Sequence, residues 1–204
     1  MPDNSSSITD RIIAFIKRKI SQKHRFNLQY ENKQWDGLRD IKDLGRYSLL
    51  VGYAKFFSSG SRILDLGCGE GILQERFAPG DYGFYCGIDI SDVAIANANK
   101  KADTKTCFMV GDIGKPDILG TFDVIIYNES IYYLSDPTSS ILSLFQHLDP
   151  GGIFIISCYN KHGKEHTNLC NSLSKILDLA DRTLVTNISG DSWTVHVYKI
   201  KSPA

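Results

Sequence analysis

The spacing of apolar residues changes near residue 60. Before it they recur at helical intervals. Ile12, Ile13, Ile16 and Ile20 form one stripe, which Thr9 or Asp10 can cap; Leu44, Tyr47, Leu50, Val51 and Ala54 form another, predicting a helix that ends near Ser58-Ser59-Gly60. Beyond residue 60, short apolar runs alternate with longer amphipathic stretches. The runs predict strands at 62–66, 84–90, 106–110, 122–127, 153–157, 183–188 and 193–200, and the stretches between them predict helices at 71–78, 91–101, 136–148 and 166–180. Pro79-Gly80 and Pro150-Gly151-Gly152 read as stops, and Ser189-Gly190-Asp191 as the turn of a terminal hairpin. Alternating strands and helices imply an α/β fold, a mostly parallel sheet with helices on both faces. Residues 1–60 are expected to form an N-terminal helical lid with a loose tail at 1–8, and 61–204 the sheet domain.

One predicted strand runs into Ile63-Leu64-Asp65-Leu66-Gly67-Cys68-Gly69-Glu70-Gly71. A glycine turn of this kind lets backbone amides approach a ligand, because no Cβ intervenes. In an open α/β sheet ligands bind at the carboxyl ends of the strands. The notable polar residues fall there: Gly67 and Gly69 after the first strand, Asp89 ending the second, Asp112 after the third and Asn128 after the fourth. Asp89, twenty residues beyond Gly69, is placed to accept from ribose hydroxyls, and Ile90 to pack on an adenine face. Asp112 can accept from an exocyclic amine, and Ile113 offers apolar contact. Asp65 is expected to hold the loop amides or to face a ligand's ammonium group. A dinucleotide site would require G-x-G-x-x-G, but Ile72 stands where its third glycine would fall, and Asp65 and Glu70 would repel a pyrophosphate.

These segments, with Gly87-Ile88-Asp89-Ile90-Ser91, Gly111-Asp112-Ile113, Phe122-Asp123-Val124-Ile125 and Leu148-Asp149-Pro150-Gly151-Gly152, resemble the class I S-adenosylmethionine-dependent methyltransferases over roughly residues 60–200. The resemblance implies a Rossmann-like sheet of seven strands, the last antiparallel between the fifth and sixth. It also implies S-adenosyl-L-methionine as cofactor, leaving as S-adenosyl-L-homocysteine. Gly67, Cys68 and Gly69 would line its methionine part, Asp89 the ribose, Asp112 and Ile113 the adenine, with Asn128 nearby and Arg46 paired to the methionine carboxylate.

The reacting centre would then follow the fourth strand, at Asn128-Glu129-Ser130-Ile131-Tyr132-Tyr133. The run lacks the Pro-Pro of adenine-amine methylases and resembles small-molecule methyltransferases, including those acting on amino sugars and oligosaccharides. Glu129 can orient an amine or deprotonate an acceptor, and Tyr132 or Tyr133 can stack on a substrate or face the sulfonium. His162 and His166 are further base candidates, in the loop after the fifth strand, beside Tyr159. Tyr30, Trp35 and Tyr47 are expected to close over the acceptor. The candidate reaction is methyl transfer to nitrogen or oxygen of a small polar acceptor, a sugar or natural-product intermediate. Two alternatives remain open: a protein or RNA methyltransferase docking through the six basic side chains of 11–25, and a non-catalytic scaffold that keeps the cofactor fold.

Composition narrows the setting. Formal net charge is zero and 42% of residues are hydrophobic, so nothing global favours nucleic acid, and no apolar run approaches a membrane span. Five cysteines without a C-x-x-C pair suggest reduced thiols, with neither a disulfide framework nor a metal site. A polar start without a signal-peptide layout fits the cytoplasm. A monomer or homodimer with a small-molecule substrate is expected.

Overall fold

The computed structural model describes residues 8–57 and 60–201. Ile63, Val124, Ile126, Ile153 and Ile155 turn to one side of a central sheet; Leu64, Leu66, Ile125, Tyr127, Phe154 and Ile156 turn to the other. The alternation has the period of two that a pleated strand imposes, and both sides are apolar because helices cover both. The strands are β1 (Ser61–Leu66), β2 (Tyr82–Asp89), β3 (Thr106–Val110), β4 (Phe122–Asn128), β5 (Leu148–Tyr159), β6 (Leu177–Thr186) and β7 (Ser192–Ile200). Their order is β3-β2-β1-β4-β5-β7-β6, with β7 antiparallel to both of its neighbours and the other pairings parallel.

Among the described residues, five α-helices accompany the sheet: α1 (Ile8–Glu31), α2 (Ile41–Phe57), α3 (Asp92–Asn99), α4 (Pro137–Ser143) and α5 (Lys164–Leu173). α2 and α3 contribute Tyr47, Leu50, Ala54, Ile95 and Ala98 to one core layer, while α4 and α5 contribute Ile141 and Leu173 to the opposite one. Ser91 caps α3 by accepting from the Ala94 amide, and Asp136 caps α4 by accepting from the Ser139 amide, so both starts have their orphan donors partly satisfied.

Several boundaries differ from the sequence expectation. The helix expected at 71–78 is a turn followed by one 3₁₀ turn (Gln74–Arg76), since Pro79-Gly80 leaves no room for a longer helix. The helix expected at 136–148 ends at Ser143, and a 3₁₀ turn carries the chain to His147. Pro150-Gly151-Gly152 does not stop the chain but lies within β5, where the register with β4 shifts between Phe122 and Val124. The helix expected over 166–180 ends at Leu173, and β6 takes over from Leu177. Its burial pattern is that of an edge strand, and Asp178, Asp181 and Arg182 blunt that edge.

The stripe of α1 also differs. Ile13, Ile16 and Ile20 are 45%, 50% and 64% exposed, and among the described side chains of the helix the first buried apolar one is Phe26. The tail at 1–7, Ser58-Ser59 and the side chains of Ile12, Arg11, Arg18 and Lys19 lie outside the described residues. Of the basic segment, Lys23 pairs with Asp92 at 2.5 Å and Arg25 lies over the Phe26 ring. No helix among the described residues is long and apolar enough to cross a membrane.

Candidate active site

The carboxyl ends of β1 to β5 and the start of the antiparallel β7 meet at one edge of the sheet. There they border a cavity of about 440 Å³. Gly67, Gly69 and Gly71 all have positive φ, at 88°, 54° and 77°. A Cβ on Gly67 would lie 2.4 Å from the Ser130 Cβ, and one on Gly69 would lie 2.6 Å from the Tyr30 hydroxyl. Glycine is therefore required here on conformation and on space, and the turn runs close under both the β4 loop and α1.

Asp89 fixes this turn. Its carboxylate accepts from the Gly69 amide at 3.0 Å and the Ser91 amide at 2.9 Å, and it borders the cavity with lone pairs remaining. Asp65 does not do what its position suggested. It is 1% exposed and absent from the cavity wall, and it accepts from the Tyr85 hydroxyl at 2.6 Å beneath the sheet edge. Strand alternation explains the difference: Asp65 points into the layer that holds Tyr85, while the loop amides lie beyond it. Burial, aided by the nearby Asp89 charge, pushes the Asp65 carboxyl up to about 7 against the Tyr85 hydrogen bond. Asp89 is also raised by burial, although the Ser91 and Gly69 amides oppose this.

Asp112 borders the cavity after β3 and accepts from the Gly114 amide at 3.0 Å, with Ile90 and Ile113 beside it. From the helical segment come Phe26, Tyr30, Trp35, Arg46 and Tyr47. Arg46 is 1% exposed, donates to Asn128 Oδ1 and to Asp43 Oδ1, and lies over the Tyr47 ring at 4.5 Å. The Arg46 Nε and the Trp35 Nε1 are buried there with no protein partner, and both residues line the cavity. Buried donors of this kind call for a polar ligand or water.

Glu129 follows β4 with φ at 59°, a left-handed conformation rare outside glycine. Its Oε2 accepts from the Tyr132 hydroxyl at 2.8 Å and its Oε1 from the Ser157 hydroxyl at 2.6 Å. A carboxylate offers about four acceptor positions, so both oxygens retain capacity toward the cavity. Burial beside Glu129 raises the Tyr132 hydroxyl, which therefore stays a donor. His162 borders the same cavity with its ring 4.3 Å from that of Tyr132, and Tyr133 and Tyr159 complete this wall. His166 is not there. It lies on α5 facing β7, with its ring 5.3 Å from His196 and its pKa lowered by burial.

Three residues that sequence reasoning passed over belong to the wall. Asp43 holds Arg46; Trp193 faces Tyr159 across the β5–β7 ladder; Asp191 accepts from the Tyr159 hydroxyl and pairs with Lys161 at 3.0 Å. The signal for Trp193 and Asp191 was the terminal hairpin itself, because an antiparallel β7 returns its first residues to the carboxyl edge of β5.

This strand order, with one antiparallel strand next to the edge and a glycine turn after β1, defines the class I methyltransferase fold. A family model described as a methyltransferase domain matches residues 57–200, and the chain belongs to that family of S-adenosylmethionine-dependent methyltransferases. A ubiquinone biosynthesis O-methyltransferase from Neisseria meningitidis is 30% identical over 151 residues, which is 68% of this chain and 62% of that enzyme. A malonyl-[acyl-carrier protein] O-methyltransferase from Bacillus anthracis is 29% identical over 78% of this chain and 64% of its own length. The chain thus spans somewhat less than two thirds of these relatives. Among solved structures, the N-methyltransferase NodS of Bradyrhizobium japonicum, in complex with S-adenosyl-L-homocysteine, superposes with a TM-score of 0.71 at 20% identity, covering 82% of this chain and 92% of its own. Magnesium protoporphyrin IX methyltransferase of Synechocystis, with bound S-adenosylmethionine, gives 0.72 at 17% identity, covering 97% and 100%. At these identities the likeness is one of fold.

Proposed function

We propose that the protein binds S-adenosylmethionine in this cavity and directs its methyl group to an oxygen of a small polar acceptor. The observation that carries the reading is the placement of the Glu129 carboxylate, held by Tyr132 and Ser157, in the same cavity as the glycine turn and Asp89. The charge of the wall supports the cofactor. Asp43, Glu70, Asp89, Asp112, Glu129 and Asp191 line it against Lys42 and Arg46, which suits a ligand carrying an ammonium and a sulfonium and opposes a pyrophosphate. Asp89 would hold the ribose hydroxyls, Asp112 and Ile113 the adenine, and Arg46 the carboxylate. The bound cofactor supplies an electrophilic methyl group.

The chain's own residues would do the rest. The Gly67–Gly69 turn and Asp89 fix the donor, and the Tyr132–Tyr133 wall positions the acceptor, since in-line displacement depends mainly on alignment. Glu129 takes the proton of an acceptor hydroxyl, a step an amine needs less. α1 to α2, with Tyr30 and Trp35, act as a lid that excludes water. Both curated relatives named above are O-methyltransferases, which favours oxygen over nitrogen.

Calorimetry with S-adenosyl-L-homocysteine tests the donor half: micromolar binding is expected, and its absence sinks the cofactor assignment. Mass spectrometry of a hydroxyl and amine acceptor panel tests the other half. Methylated amines with untouched hydroxyls would overturn the choice of oxygen.

A further inference from the structure

α5 is thinly attached to the protein. Leu173 is its one buried residue. Yet its inner face presents His166 and Cys170, one helical turn apart, to His196 of β7. His196 is 4% exposed. One ligand atom from each of the three lies within 4.8 Å of the others. Cys170 Sγ stands 3.6 Å from His196 Nε2. The His166 Nε2 is buried with no hydrogen-bond partner.

We propose that His166, Cys170 and His196 form a binding site for a soft divalent cation of the zinc class, separate from the methyl-transfer cavity. Zinc is held tetrahedrally, with Zn–S near 2.3 Å and Zn–N near 2.05 Å, and these lengths set a sulfur–nitrogen edge of about 3.6 Å. The Cys170–His196 separation already has that value, so only His166 has to close in. Two imidazoles and one thiolate are a donor set that selects zinc-like ions over magnesium or calcium. Binding displaces the Cys170 thiol proton. Three protein ligands leave the fourth tetrahedral position to an exchangeable ligand, and His166 also borders a cavity of about 360 Å³ lined by residues of α4 and α5.

C-x-x-C spacing could not reveal such a site, because the third ligand comes from a strand 26 residues further on. An ion there would clamp α5 to β7. It would also brace the segment Asn160–His162, which carries His162 to the wall of the methyl-transfer cavity.

The test uses the full chain without an affinity tag, purified free of metal and titrated with Co(II) and then Zn(II). The expected result is a thiolate-to-cobalt charge-transfer band at one equivalent, bleached by zinc, with a raised midpoint of thermal unfolding. Cys170→Ser should abolish the band, and His196→Gln should weaken binding at least about tenfold, since even the loss of a residue supporting a ligand costs that much. Cys158→Ser, which removes the neighbouring thiol, should keep the band, and circular dichroism verifies that each variant is folded. A wild-type chain without the band, or a band that survives in Cys170→Ser, overturns the proposal.

Discussion

On the β1–β3 side of the cavity the contacts are made by backbone amides and carboxylates at strand ends: Asp89 holds Gly69 and Ser91, and Asp112 holds Gly114. On the β4–β7 side, side chains hold one another, mostly between distant parts of the sequence. Ser157 and Tyr132 hold Glu129, Asp191 holds Tyr159, and the Tyr132 ring packs at a tilt against that of His162. The first side can be specified by a short motif, because a strand end and a glycine turn dictate where its groups go. The second depends on which strands lie side by side. A donor common to many enzymes suits the former, and an acceptor particular to one suits the latter.

The comparison breaks most sharply at Glu129. If it is the base, Glu129→Gln keeps an oxygen for one of its two hydroxyl donors, Tyr132 or Ser157, presents an amide NH2 to the other and loses the proton acceptor, and kcat for a hydroxyl substrate should fall by about 10²–10⁴-fold. Affinity for S-adenosyl-L-homocysteine should stay within about threefold, since the donor side is untouched. Full turnover in this variant would remove Glu129 from the chemistry.

Asp89→Ala is the reciprocal cut. It removes the acceptor for the Gly69 amide and, on our reading, two charge-assisted bonds to the ribose. At about 1.5–3 kcal/mol each, those bonds predict S-adenosyl-L-homocysteine binding weaker by roughly 10²–10⁴-fold in calorimetry. Equal binding would mean that the turn alone holds the donor.

Asp65 separates stability from binding. Its carboxyl is pushed up to about 7 in the fold, above its ordinary unfolded value, so the folded chain keeps this proton while the unfolded chain has lost it. Stability from this group is complete below about pH 4 and is lost as pH rises toward 7. Between pH 5 and pH 8 the loss is roughly 2–3 kcal/mol. Asp65→Asn, which can still accept from Tyr85, should flatten that part of the stability-pH curve in denaturant titrations. It should leave cofactor affinity nearly unchanged, because Asp65 does not line the cavity.

Asp65 and His166 also mark where the sequence stopped being legible. The motif read correctly as a strand, a turn and a second acid, but it could not say which way Asp65 points, since strand alternation sends that side chain to Tyr85 rather than to the loop. His162 and His166 looked equivalent in a polar loop. The short α5, beginning at Lys164, turns one of them toward β7 and leaves the other at the cavity. The strands were legible because buried strands are continuous apolar runs, whereas their order followed from the family resemblance. The ends of the later helices were not, since a run such as Leu177–Thr186 carries charges that read as a helix surface until the edge of a sheet is placed beside it.

The smallest effect distinguishes two roles for His162. Its ring packs against Tyr132 at 4.3 Å, and Tyr132 in turn donates to Glu129. If the imidazole only packs, it acts by holding the tyrosine, and such aromatic pairs are worth about 0.5–1.5 kcal/mol, or roughly two- to tenfold in rate. His162→Ala should then lower kcat within that range, and His162→Phe, which restores the ring without a proton-accepting nitrogen, should recover most of it. A loss of about 10²-fold or more in both variants would make His162 the proton acceptor instead, moving the chemistry from the end of β4 to the loop after β5.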